Sequence, residues 1–125
     1  MNRTQINLEF IFKASPTILY KFLTTPTCLI RWFCEEVDNN GDVFTFVWNG
    51  AEEVATLVDD IEDERVRYVW EEADAGEYLE FRMYKSNVTN ETILEITDYC
   101  DSHEVKQQHA YWNSLMDEMR RAVGG

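Results

Sequence analysis

Two periodicities divide this chain. Ile6, Leu8, Phe10 and Phe12 alternate with Asn7, Glu9 and Lys13, interrupted only by Ile11, and most of residues 40–100 keeps the same period of two. That is the spacing of strands with one apolar face. From Ser102 onward Val105, His109, Trp112, Met116 and Met119 recur at steps of four and three, the stripe of a helix with one buried side. Between the first strand and the central run, Ser15-Pro16 pairs an N-cap with proline at the first helical position, predicting a short helix over about 16–23. Thr25-Pro26 repeats the signal, and Leu29, Trp32 and Phe33 supply the apolar side of a second short helix.

The central run divides at its turns. Asn39-Asn40-Gly41 is a turn, and Phe44, Phe46 and Trp48 then alternate with Val43, Thr45 and Val47. Asn49-Gly50 fits a two-residue type I′ hairpin, which needs positive φ at both positions. The strand over about 52–58 is ambiguous in its facing, since Ala55/Leu57 and Val54/Val58 are both plausible inward sets. Residues 59–64 form an acidic connection with Ile61 as its single apolar anchor. Val66, Tyr68 and Trp70, then Leu79, Phe81 and Met83, then Leu94 and Ile96 complete the inward faces. Asp101 with Glu104 three residues on predicts a capping box for the terminal helix, which Gly124-Gly125 ends. The expected architecture is α+β, a curved antiparallel sheet of about six strands around a long C-terminal helix, with two short helices after the first strand.

At 125 residues there is room for one domain over 1–125, and 17 aromatics are ample for its core. The opening residues lack the apolar run of a signal peptide and no stretch approaches a membrane span, so a cytoplasmic location without membrane insertion is expected. Cys28, Cys34 and Cys100 contain no CxxC spacing and indicate neither a disulfide framework nor a zinc site. The net charge of −13 is uneven: residues 35–104 hold 21 acids against four bases. An acidic sheet repels phosphate backbones, which excludes nucleic acid as an expected partner and leaves a solvated outer face or a docking surface for a basic one.

The residues Ala14-Ser15-Pro16 with Leu19-Tyr20 and Phe22-Leu23, Thr25-Pro26 leading to Leu29 and Trp32, Glu64-Arg65-Val66 with Tyr68 and Trp70, and Trp112 before Leu115 fall in an order that resembles the helix-grip fold of the START-like (SRPBCC) superfamily. Within it the chain is similar to the Aha-type branch, named for the activator of the heat-shock chaperone ATPase. The resemblance implies a cavity between sheet and terminal helix, used for apolar molecules, or in the co-chaperone branch a protein-binding surface. It implies no catalytic set. The inward residues that would line such a cavity are Phe10, Trp32, Phe46, Trp48, Tyr68, Trp70, Phe81, Met83, Leu94, His109, Trp112 and Met116. The same aromatics are large enough to fill it instead.

Candidate chemistry is sparse. His109 on the apolar stripe is suited to bond a ligand or transfer a proton, or is a half-buried histidine satisfied by a neighbour. His103 and His109, six apart, fall on different helix faces, so no metal site is expected. The carboxylates fall mainly on the outward parity of the strands, and four acids near Cys34 argue against a reactive thiol there. The leading expectation is non-enzymatic binding of a small apolar or amphipathic ligand, without a cofactor, by a monomer or homodimer. The alternative is a protein-interaction module using the acidic sheet, and third comes a cyclase- or dehydratase-like enzyme using His109.

Overall fold

The computed structural model describes residues 2–125. Strand β1 (Arg3–Phe12) leads into helices α1 (Pro16–Thr24) and α2 (Pro26–Leu29). Six strands follow, β2 (Glu36–Asn40), β3 (Val43–Trp48), β4 (Ala51–Ile61), β5 (Arg65–Trp70), β6 (Leu79–Lys85) and β7 (Thr92–Asp101). A single 3₁₀ turn, Ser102–Glu104, precedes the long helix α3 (Val105–Val123). All seven strands form one antiparallel sheet in the order β1-β7-β6-β5-β4-β3-β2.

The strand beyond the expected six is β2, Glu-Val-Asp-Asn-Asn, which carries no alternation because it is an edge with mostly exposed residues. Only Val37, opposite Phe46, is partly buried. Charged, short edges of this kind discourage further strand pairing. On the opposite side of β3, Asn49 and Gly50 take φ of 50° and 80°, the left-handed pair that the hairpin requires.

The facing of β4 is settled by Ala55 and Leu57, which are buried, while a bulge between Leu57 and Asp59 turns Val58 out to 53% exposure. The ladder then runs on through Ile61, so the expected acidic connection shrinks to a tight turn at Glu62, Asp63 and Glu64. Ile61 is exposed and anchors nothing.

Helix α1 starts as expected, with the Ser15 hydroxyl accepting from the Ile18 N–H at 3.3 Å. Its last carbonyls are closed by side chains from elsewhere: the Trp32 indole donates to Phe22 O at 2.8 Å and the Tyr68 hydroxyl to Leu23 O at 2.7 Å. Orphan helix-end carbonyls buried in a core need such donors. Helix α2 stops at Leu29, and Trp32 and Phe33 sit in the turns beyond it rather than on its face. Thr25 makes no side-chain cap bond. The capping box at the start of α3 also does not form. The Asp101 carboxylate instead accepts from the Arg3 guanidinium at 3.0 Å, and the 3₁₀ turn leads into the helix.

Helices α1 and α2 cover β5, β6 and β2, and α3 lies against β1 and β7. Trp112, Met116 and Met119 are the buried stripe of α3. The far end of α3 is tied to the end of β1: Arg120 Nε donates to Ile11 O at 3.3 Å, and Lys13 N–H donates to the carbonyl of Gly125. Gly124 closes the helix at φ 85° with its N–H on Arg120 O.

Candidate functional site: a tryptophan-walled pocket beside the terminal helix

The deep interior between sheet and helices is filled. Phe46, Phe81, Leu94 and Met116 are 2% exposed or less, and Met83 and Tyr68 are buried with them. Their rings interlock at short range, with Phe46 against Tyr68 at 5.9 Å and Phe81 against Trp112 at 5.8 Å between centroids. Space opens where the N-terminal half of α3 faces the ends of β3–β6. There a pocket of about 490 Å3 is bounded by Trp48, Trp70 and Trp112, with Phe33, Tyr78, Leu79, Tyr99 and Tyr111 completing its apolar surface.

Each wall residue is held for an identifiable reason. Trp48 ends the inward row of β3, and its indole N–H donates to Phe33 O at 2.7 Å, fixing the ring. Trp70 ends the inward row of β5, 6.1 Å from Trp48 between centroids and inclined to it by 55°. Trp112 donates through Nε1 to Asp98 Oδ2 at 2.9 Å, and Gln108 Nε2 donates to the same oxygen at 2.9 Å. The Tyr99 N–H donates to Asp98 Oδ1 at 2.8 Å, so this partly buried carboxylate is fully engaged. Burial, with the charges of Asp98 and Glu53, pushes the Tyr111 phenol above its usual range and keeps it neutral at the wall.

The mouth is acidic. Glu53, Glu72, Glu77 and Asp98 line the pocket against a single cation, Arg3. Arg3 donates to both oxygens of Glu77, at 3.0 and 2.6 Å, and this bidentate contact holds Glu77 below the ordinary carboxylate range and Arg3 above the ordinary guanidinium one. On the neighbouring sheet surface, Arg67 donates through Nε and Nη2 to a single oxygen of the buried Glu80, at 2.9 and 2.7 Å, and stacks over Tyr78 at 3.9 Å.

Of the residues expected to line a cavity, Trp48, Trp70 and Trp112 come together around this pocket. Phe46, Tyr68, Phe81, Met83, Leu94 and Met116 pack the core away from it. Trp32 is spent on α1, and Phe10 lies 6.0 Å from the Arg120 guanidinium near the other end of α3. His109 is half-buried, off the pocket wall, and makes no hydrogen bond among the described residues. The enzyme reading rested on that side chain.

The sequence reading missed Arg3, Phe33, Glu53, Glu72, Glu77, Tyr78, Tyr99, Asp98, Gln108 and Tyr111. A signal existed for some of them. Glu53 precedes Ala55 by two, Glu72 follows Trp70 by two and Asp98 follows Ile96 by two, so these acids continue inward parities rather than outward ones. Gln108 and Tyr111 neighbour Trp112 on α3. Nothing in the local pattern singles out Arg3.

Asp101, His103 and Glu104 gather ligand atoms within 4.8 Å of one another, a grouping the comparison of the two histidines did not consider. Its Asp101 carboxylate is already paired with Arg3. Burial pushes the Cys34 thiol up to about 11, in keeping with an inert cysteine. Among the described residues no helix is long and apolar enough to cross a membrane.

A single antiparallel sheet closed over a C-terminal helix, with a pocket opening beside that helix, defines a helix-grip domain. The chain belongs to the START-like superfamily: the family model for a START-like superfamily domain matches residues 1–125. Domains of this superfamily typically bind ligands. The fold is similar to that of a Bacteroides fragilis protein solved in solution, at 28% identity and TM-score 0.70, covering 97% of this chain and 91% of that one. It is also similar to the Aha1 dimer from Colwellia psychrerythraea, at 21% identity and TM-score 0.79 over 96% of both chains. A Mesorhizobium loti protein reaches TM-score 0.79 at 13% identity over 97% of both. A comparison with curated proteins returns no match.

Proposed function

We propose that this protein is a non-enzymatic binding domain that holds one small amphipathic molecule in the pocket between the ends of β3–β6 and the N-terminal half of α3. The observation that carries the reading is the pocket itself: about 490 Å3, walled by three indoles and edged by polar groups. Pockets of roughly 300–1,000 Å3 with mostly aromatic walls and a few polar groups are the usual form of small-molecule sites. The packed core behind it limits the ligand to this end of the domain and excludes a long acyl chain threaded along the sheet.

The test is titration with the uncharged fluorophore N-phenyl-1-naphthylamine, read by energy transfer from tryptophan, beside native mass spectrometry of freshly purified protein. Saturable one-to-one binding that weakens at least about fivefold, roughly 1 kcal/mol, in Trp70→Ala is expected. No saturable binding together with a bare native mass would refute the reading.

A second reading is recognition of a basic protein by the sheet, favoured by the exposed Glu36 and Asp38 on the open edge strand β2. The fold likeness to the Aha1 dimer is compatible with it. Light scattering and partner capture at low and high salt test it, since an electrostatic complex must weaken as salt rises.

A further inference from the structure

We propose that the ligand of this pocket is an organic cation, an amine or quaternary ammonium group on an apolar body; the inference rests on the pocket reading above and adds the charge of its occupant. Trp48 and Trp70, inclined at 55° with centroids 6.1 Å apart, form a wedge in the wall. A cation seated in such a wedge lies within the ~6 Å of a ring centroid at which indoles attract positive charge.

The carboxylates at the mouth are not balanced from within. Arg3, the one cation of the lining, is committed to Glu77 and Asp101. The Glu53 and Glu72 carboxylates make no hydrogen bond or ion pair among the described residues. They also stand close to each other. Ala55 pairs with Trp70, and the Glu71 N–H donates to Val54 O at 2.8 Å; the chain then turns, Ala73 N–H donating to Trp70 O at 3.1 Å, which leaves Glu72 in the turn beside the start of β4, where it and Glu53 line the same pocket. Like charges held at one pocket mouth repel, and a cation between them removes the repulsion. The same pair rejects anions and gives nothing to a neutral guest. The net charge of −13 adds long-range attraction for a cation approaching the domain.

The closing experiment uses one naphthylmethyl body carrying trimethylammonium, tert-butyl or sulfonate, three groups of similar shape and different charge, titrated into the full chain by tryptophan quenching. The ammonium should bind about tenfold more tightly than the tert-butyl compound, equivalent to roughly 1.4 kcal/mol, and the sulfonate more weakly than either. Replacing Glu53→Gln and Glu72→Gln together should reduce the ratio of ammonium to tert-butyl affinity to about twofold. Both positions are exposed at the rim, and circular dichroism checks that the variant folds. Equal binding of ammonium and tert-butyl, or a preference that survives the double substitution, would overturn the cation assignment alone. Failure of all three compounds to bind would overturn the pocket reading and the assignment with it.

Discussion

Tyr68→Phe removes one oxygen from the middle of this protein and tests how the end of α1 is held. The Tyr68 hydroxyl donates to Leu23 O at 2.7 Å, and Leu23 is fully buried. Burial raises the phenol well above the ordinary tyrosine range, so it stays a donor at any working pH. Phenylalanine keeps the ring and its edge contacts with Phe44 at 5.4 Å and Phe46 at 5.9 Å, which isolates the hydrogen bond from the packing. What remains is a helix-end carbonyl shut away from water, a loss of about 1–3 kcal/mol. With a urea slope of about 2 kcal/mol per molar, the midpoint should fall by roughly 1 M at unchanged slope. Trp32→Phe releases the adjacent Phe22 carbonyl, and the two losses should combine to less than their sum, because water admitted by the first serves the second. A Tyr68→Phe midpoint within about 0.2 M of the wild type would show that Leu23 O is not dry, and the account of α1 would fail.

Thiol labelling and acid titration test two other features. In the native protein at neutral pH a thiol reagent should modify Cys28 quickly and leave the buried Cys34 and Cys100 untouched, with all three reacting once the chain is unfolded. Labelling of Cys34 at the rate of Cys28 would contradict its burial. For Glu77, the Arg3 contact lowers the folded-state value below 4.5, so its stabilisation is present above that pH and disappears as pH falls through the folded value. The melting temperature of Glu77→Gln should therefore lie below wild type at neutral pH and approach it in acid; the Arg3 side chain is 37% exposed, so solvent screens the pair and the gap is small. A gap of the same size on both sides of the titration would assign it to something other than the ion pair.

The architecture was legible because its information is local and periodic. Alternation located the strands, two Xaa-Pro caps located α1 and α2, and the step of four and three located α3 with its buried Trp112, Met116 and Met119. What local pattern could not show was competition. Asp101 has a capping box's sequence, yet Arg3, brought alongside by the β1–β7 register, takes its carboxylate. Strand β2 has no period because a short edge strand with a single half-buried side chain, Val37, needs none. The pocket was half legible. Trp48 and Trp70 end inward rows, but an inward row does not reveal where packing stops: Phe46 shares the parity of Trp48, and Met116 the stripe of Trp112, while filling the core. The rim acids were hidden by the habit of reading charge as outward, although Glu53 and Asp98 lie on the inward parity.

The strand order carries a cost during synthesis. Five of the six strand junctions join neighbours along the chain, but β1 pairs only with β7, Arg3 opposite Asp101 and Phe12 opposite Thr92. On the ribosome the first strand therefore emerges with Ile6, Leu8, Phe10 and Phe12 and waits for a mate made nearly last. At elongation rates of roughly 5–20 residues per second that wait is about 5–20 s. The meander from β2 to β6 can assemble meanwhile from short-range contacts, whereas closing β1 onto β7 must overcome the entropy of nearly the whole chain and is the step expected to limit the rate. In a crowded cell that interval is when an unpaired apolar strand is most exposed to chaperones and to other nascent copies of itself.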